Sequence, residues 1–430
     1  MIVKKLIEKI EGEAELEFSF KSGKIDDVDI KFDLYRGIEE ILKGKAPRDA
    51  LVITPRVCGI CNHAHLIASV RALESGFRDA GFTFELSKKA KDIREFTLSC
   101  ELVQNHIKWL YLTIFPQLNR VLKSDPDDNY ALKASYIANT VTKAIAIFAG
   151  QWPHSSYAVP GGVTCDPTYI DIISAQNLID EAIRFTQKVL IGMDLDEYLS
   201  IESLSQLKTL GGDFGKLLFT LEDNQLAKIG KSYDRFIVLG ESAFFKSAKS
   251  IATTTSTIDQ RFVKELEQTG TKAKAALYKN RFYEVGPMAR AIINKEPIIM
   301  SLRKRYRDSL ITRIYARVHE VAILLNYTKG LLQNLDITQE SCTLKSKATP
   351  SDFSGVGTVE AARGSLIHRV KVKESIISKY EIITPTQWNL SNSVEEKRGV
   401  AANAMIGLES DELASFVFKS FDVCSVCTTH

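Results

Sequence analysis

No stretch of this sequence approaches the roughly 18 uninterrupted apolar residues of a membrane-spanning helix. Charge imbalance is missing too. The 56 basic residues nearly match the 53 acidic ones, and the net charge is +3. That balance gives no electrostatic case for nucleic acid or an anionic membrane surface as a partner. The opening stretch, MIVKKLIEKIEGEAELEF, turns acidic without an apolar export core, so the chain is expected to carry no address of its own. Prolines are few, and no repeat, low-complexity tract or Pro/Gly/Ser linker interrupts the chain. Residues 1–430 therefore read as a single domain. Cysteine is sparse and odd in number, at seven. That argues against a disulfide framework and for a reducing compartment with metal ligation.

What is present reads as α+β, predominantly α-helical. A long-helix core is expected, with a β-hairpin and short sheets near the two ends of the chain. Residues 13–32 alternate: Ala14, Leu16, Phe18 and Phe20 face one way, and Val28, Ile30 and Phe32 repeat the pattern after Lys21-Ser22-Gly23-Lys24, as in a hairpin. Tyr35 to Lys43 reads as a short helix stopped by Gly44 and Pro47. From Ser87 to Leu112, apolar residues at spacings of three and four predict a long helix with one buried face. Helices are also expected at 129–148, 170–192, 258–278 and Tyr306 to Leu332, and short β-rich segments at 366–388.

Four of the seven cysteines form two Cys-x-x-Cys pairs at opposite ends of the chain: Cys58 and Cys61 in RVCGICNHAH, and Cys424 and Cys427 in FDVCSVCTTH. A thiolate is the metal ligand, so closing the pairs together gathers up to four negative charges. One divalent ion neutralises half of that, and two ions sharing bridging sulfurs would balance it. Soft sulfur selects zinc, iron, nickel or copper(I) over magnesium or calcium. On spacing alone, structural zinc is the plain reading. His65, four residues past Cys61, and His430, just beyond the second pair, are extras that a structural zinc site does not need.

The string Arg56-Val57-Cys58-Gly59-Ile60-Cys61-Asn62-His63-Ala64-His65 resembles the R-x-C-G-x-C-x-x-x-H signature of nickel–iron hydrogenase large subunits. The segment Asp422 to His430 resembles their D-P-C-x-x-C-x-x-H. Ile10-Glu11-Gly12, Tyr35-Arg36-Gly37-Ile38-Glu39, the run from Gly150 to Val163, Glu284 to Arg290, Glu360-Ala361-Ala362-Arg363-Gly364 and Pro385-Thr386-Gln387-Trp388-Asn389 continue the likeness in the family's order. The matches span nearly the whole chain. The metal site would then be formed by residues 56–65 and 422–430.

The resemblance implies that all four cysteines bind nickel, with Cys61 and Cys427 also bridging to an iron that carries CO and cyanide. Arg363 matches the arginine overhanging the metals, Thr386 a hydroxyl that bonds a cyanide, and His65 a donor to a metal-bound sulfur. Asp422 would pair with Arg363. Glu11 matches the glutamate that passes protons outward, after a thiolate such as that of Cys424 has taken them first. Glu39, the Ile382 carbonyl and His430 match a separate magnesium site. The chain has no spare cysteine set for iron–sulfur clusters, so an iron–sulfur small subunit is implied as an obligate partner, docking near the cysteine pairs. A maturation endopeptidase and nickel-insertion chaperones follow by the same resemblance, and the last residue, His430, suggests a mature form or a gene without the tail.

Some positions depart from the pattern. Val423 replaces the usual proline after the aspartate, and Ala362 the usual proline before the arginine. Asn105 stands where many members have an aspartate beside the arginine, which would leave Arg363 leaning on Asp422 alone among carboxylates. Cys100, Cys165 and Cys342 read as buried small hydrophobes. His319 reads as structural, and His106, His154 and His368 as candidates near the centre. The length and the WPHSSYAVPGGV string lean toward a cytoplasmic uptake or hydrogen-sensing branch, with membrane association or co-export coming only through the partner. The leading reading is dihydrogen cleavage. A slowly turning hydrogen sensor is the alternative. Behind them come a metal-free relative, such as the quinone-site subunit of respiratory complex I, and a zinc scaffold.

Overall fold

The computed structural model describes the chain except residues 10–11, 126–128, 243–249, 252–259, 346–347, 395 and 429–430. Strands β1 (Ile2–Lys9), β2 (Gly12–Lys21) and β3 (Lys24–Lys31) form an antiparallel sheet in that order. The expected hairpin is its β2–β3 half, with Leu16 opposite Ile30 and Phe18 opposite Val28. Their shared face buries Ala14, Leu16, Phe18, Val28, Ile30 and Phe32, as the alternation requires. The expected short helix is trimmed to Ile38–Leu42, because Gly37 takes a left-handed conformation (φ 63°) immediately before it.

The helical core comprises α1 (Asn62–Asp79), α2 (Lys88–Trp109), α3 (Tyr130–Ala149), α4 (Tyr169–Phe185) and, later, α5 (Leu310–Gln333). Helix α2 packs against α3 and α5, and α3 against α4. Ser87 starts α2 by accepting the Ala90 N–H, and Thr168 starts α4 in a capping box with Asp171. The helix expected from Tyr306 instead begins at Leu310. A shorter helix, Pro297–Tyr306, ends first, and Arg307 (φ 61°) breaks the path between them.

One expectation fails and another is borne out except at its end. The helix expected over 258–278 is a hairpin where described, made of β4 (Val263–Glu267) and β5 (Lys274–Tyr278). Gly270 supplies the left-handed turn between them, and β5 is nearly fully buried, so its apolar run Ala275-Ala276-Leu277-Tyr278 mimics a helical stripe. The β-rich segment expected at 366–388 ends in a short helix, Pro385–Asn389. Proline stands at its first turn, and Thr384 and Gln387 close a capping box.

Strands β6 (Phe353–Ala361), β7 (Gly364–Lys373) and β8 (Ile376–Ile383) form a second antiparallel sheet, and α1 lies across it. The approach is close enough to need glycine. A Cβ at Gly355 or Gly357 would run into the carbonyl oxygens of Ala72 and Ala68 on α1. This packing brings together the helix that follows the first cysteine pair and the β6–β7 turn that carries Arg363. The main apolar core runs from Ile38 to Cys427 and includes all four paired cysteines.

Candidate metal centre

Cys58 follows a tight turn, Thr54–Val57, and Cys61 stands at the N-cap of α1. Cys424 and Cys427 flank the start and body of the short helix Ser425–Thr428. The four sulfurs all lie within 4.8 Å of one another, and all four residues are buried. Cys58 and Cys424 approach to 3.8 Å, Cys61 and Cys427 to 3.4 Å, and Cys424 and Cys427 to 2.8 Å, with every thiol free. Burial pushes the Cys61 and Cys427 thiols well up. Burial opposes ionisation of Cys58 as well, but hydrogen bonds from the other sulfurs and the charge of Arg363 bring it well below the ordinary thiol range. Without a cation, the cup cannot hold four thiolates.

Arg363 closes this cup. It sits at the end of the β6–β7 turn, where Gly364 (φ 131°) lets the chain reverse against Val285 and Gly286. Its Nε donates to the Asp422 carbonyl at 3.1 Å, and its Nη2 to Asp422 Oδ1 at 3.2 Å. Its Nη1 reaches Asn105 Oδ1 at 3.4 Å, so an amide faces the guanidinium on that side, as the sequence implied. Asp422 adopts a left-handed backbone (φ 63°), which aspartate tolerates better than most residues. Its Oδ2 lies 3.2 Å from Arg317 Nη1, on α5. Arg317 also stacks over Trp109, and burial lowers it to about 10.

A small cavity of about 10 Å³ adjoins the sulfurs, lined by Cys61, Cys427, His65, Arg363 and Thr386 among others. The Thr386 hydroxyl oxygen is buried there with no hydrogen-bond partner among the described residues. An orphaned donor aimed at a soft-ligand cup calls for a polar group inside. His65 Nδ1 and His368 Nε2 are 3.1 Å apart, His368 Nδ1 and the Tyr380 hydroxyl 2.9 Å, and Tyr380 donates to Ser69 at 3.0 Å. His65 is therefore oriented by a buried relay, as ligand-adjacent histidines are.

The remaining predicted residues divide. Glu39 is buried, and its Oε1 accepts the Ile382 N–H at 2.6 Å, so those two positions do meet. Lys274 stands 3.7 Å from its other oxygen. Glu11 and His430 lie outside the described residues. His106 lies against Glu320 at 2.7 Å, away from the sulfurs. His154 binds the Pro55 carbonyl through Nδ1 at 3.1 Å and so braces the first cysteine loop. His319 is buried against Tyr198 and Tyr315. Cys100 is buried as expected, but Cys165 and Cys342 are only half-buried, because the loops that carry them lie nearer the surface.

Sequence reasoning missed three groups. Arg36 donates to the Arg56 carbonyl at 3.2 Å, to that of Val57, and to that of Val426 at 3.1 Å, tying both cysteine segments together. Arg317 supports Asp422. Glu101 accepts the His63 and Ala64 N–H groups at 2.7 and 3.0 Å, and burial raises its carboxyl to about 8.

Comparisons with known proteins give the chain's family and the likeness of its fold. The family profile described as nickel-dependent hydrogenase matches residues 36–136 and 234–430. The periplasmic NiFeSe hydrogenase large subunit of Desulfomicrobium baculatum is 26% identical, over 98% of this chain and 93% of that protein. Sulfhydrogenase 1 subunit alpha of Pyrococcus furiosus is 24% identical, over 99% of this chain and 96% of that one. The solved Ni-Fe-Se hydrogenase from D. vulgaris Hildenborough, in the reduced state, shares the fold with a TM-score of 0.82 at 23% identity, over the full length of both chains.

Proposed function

The chain belongs to the nickel-dependent hydrogenase family, and on that premise we propose that its four paired cysteines hold nickel together with an iron, at a centre where dihydrogen is cleaved to protons and electrons. The observation that carries this is the buried cup of four sulfurs within 4.8 Å, capped by Arg363. Soft and buried, it suits a pair of thiophilic ions better than any hard cation. Cys61 and Cys427, 3.4 Å apart and both lining the cavity, are the pair suited to bridging. When bound, the metals supply the Lewis acidity and redox capacity for heterolytic cleavage.

The chain's own residues do the rest. Arg363 keeps a fixed cation over the cavity and holds Asp422 in place. The Thr386 hydroxyl is available to donate to a cyanide on iron. The cavity beside the sulfurs has room for about one water-sized group, so only small molecules fit against the cup. Cys424 is suited to take the first proton, and Glu11, by its motif alone, to pass it outward. Glu39, the Ile382 carbonyl and His430 are proposed for a magnesium ion, and what supports the reading is that Glu39 lies beside Ile382, on its N–H.

Electrons must leave through another chain, since the three remaining cysteines are scattered. An iron–sulfur small subunit is the partner we propose, with a maturation endopeptidase and nickel-insertion chaperones upstream of it. A cytoplasmic uptake role is the reading carried over from the sequence, and cell fractionation tests it. The purified two-subunit protein should contain nickel and iron, show infrared bands of carbonyl and cyanide, and reduce a dye with dihydrogen. Zinc alone, with no bands, would overturn the proposal. Bands without appreciable turnover would favour the sensor.

A further inference from the structure

Helix α1 has an unusual start. Cys61 occupies its N-cap (φ −126°, ψ 31°), where serine, threonine, aspartate or asparagine would normally fold a side-chain oxygen back onto the first N–H groups. The Cys61 sulfur makes no such bond and is turned into the cluster instead. The His65 N–H finds the Cys61 carbonyl at 3.4 Å, but those of His63 and Ala64 come too early for an intrahelical partner. Both are taken by one carboxylate from another helix. Glu101 Oε2 accepts the His63 N–H at 2.7 Å, and Oε1 the Ala64 N–H at 3.0 Å. One turn further along α2, Gln104 Nε2 and Asn105 Nδ2 both donate to the Ile60 carbonyl, at 2.9 and 2.6 Å. A single face of α2 thus grips the backbone on both sides of Cys61 without touching its sulfur by any bond described here.

We propose that Glu101, assisted by Gln104 and Asn105, is a positioning clamp that fixes the Cys61 sulfur within the metal centre, replacing the helix cap that a metal-binding cysteine cannot provide for itself. The inference rests on reading the cluster as a nickel–iron site in which Cys61 bridges. Glu101 is fully buried, and a buried carboxylate is tolerated only where its acceptors are used. Here both oxygens are spent on the two N–H groups next to one ligand. Two acceptor oxygens at a helix N-terminus also satisfy N–H groups that carry the partial positive charge of that end, which stiffens the first turn.

The test compares Glu101→Gln and Glu101→Leu in the purified two-subunit protein with Thr168→Ala, which removes the cap of α4 far from the centre. Two quantities are read: the positions of the carbonyl and cyanide infrared bands, and the rate at which bound metal, whichever metal it is, is lost to a strong chelator. Glutamine keeps the volume but can accept only one of the two N–H groups, and leucine accepts neither. The expected result is graded, with shifted bands and metal loss faster by about tenfold or more in the leucine variant, and a smaller change in the glutamine variant. Thr168→Ala should lower the melting temperature and leave both quantities unmoved. Unshifted bands and unchanged metal loss in both Glu101 variants would overturn the clamp. A complete lack of bands in the unaltered protein would instead defeat the nickel–iron reading, and the metal-loss rates would still decide the clamp.

Discussion

The Arg290 cluster and the cysteine cluster are both buried, both assembled from distant parts of the chain, and both touch α2, through His106 in the first and Asn105 in the second. They differ in whether protein atoms balance their charge. Arg290 forks onto both oxygens of Glu320, at 2.7 and 2.6 Å, and onto Glu360 at 2.7 Å. His106 adds a contact to Glu320 at 2.7 Å, and Ser365 and the Gly240 N–H share the other oxygen of Glu360. The guanidinium and both carboxylates are matched there, and His106 Nδ1 is the atom of the cluster with no hydrogen-bond partner among the described residues. The cysteine cup has Arg363 on one side, four crowded sulfurs, and a threonine hydroxyl with no partner among the described residues. Four crowded soft ligands beside one fixed cation mark the cysteine cup as the metal site.

Removing a ligand should separate the clusters most sharply. Cys427→Ser should leave the fold intact and lower retained nickel and dihydrogen-dependent dye reduction by more than about 100-fold, since even residues that merely support ligands cost 10–100-fold. Metal analysis and an activity assay check it, and near-normal values would dissolve the distinction. Arg290→Met should do the reverse. Two carboxylates would lose their buried partner, at a cost of about 3–5 kcal/mol of stability, while folded molecules at low temperature keep their metal. Denaturant unfolding and nickel per folded chain measure the two halves of that statement.

Much of the helical core could be anticipated from spacing, and the four ligands from two short motifs. Position along the chain even exposed Asn105 facing Arg363. What could not be read came from pairings in space. The periodicity of α2 gave it one buried face, yet it is buried almost all round, including Glu101, Gln104, Asn105 and His106. A glutamate in such a helix looks like part of a solvated side until the residues of α1 are seen against it. Arg36 and Arg317 were equally silent, because each acts on groups far away in sequence. The β4–β5 hairpin was misread because a fully buried strand and a helical stripe share the same apolar run.

Acid should probe the comparison further. Burial lowers His63 to about 3 and His106 and His319 to about 4, against 6.5 when unfolded. Their neutral forms stabilise the fold fully above pH 6.5, and that contribution is lost as pH falls toward the folded values. Glu101 works oppositely. Burial raises it to about 8 from 4.5, so the folded state holds a proton that the unfolded chain releases. Between pH 6.5 and 4.5 these four groups leave the unfolded state with about two extra protons, a loss of up to roughly 2.7 kcal/mol per pH unit, which the carboxyls of Glu284 and Glu360, also raised by burial, reduce. Below pH 4.5, Glu320, held near 2 against burial by Arg290, adds to the loss. Urea melts at pH 7, 6 and 5 would reveal the slope, and a flat profile would contradict it. The smallest effect is expected from Thr386→Val. Deleting an unpartnered buried hydroxyl should stabilise the metal-free chain, by up to about 1–3 kcal/mol, and should shift the cyanide bands once the centre is loaded. Calorimetry with and without metal checks that reversal of sign.

Arg36 touches no sulfur, yet it strings the carbonyls of Val57 and Val426 on one planar group. It behaves as a latch across the two jaws of the cup, holding them in register before any ion arrives. A lesion at that latch would leave every ligand in the sequence, and the jaws would still part.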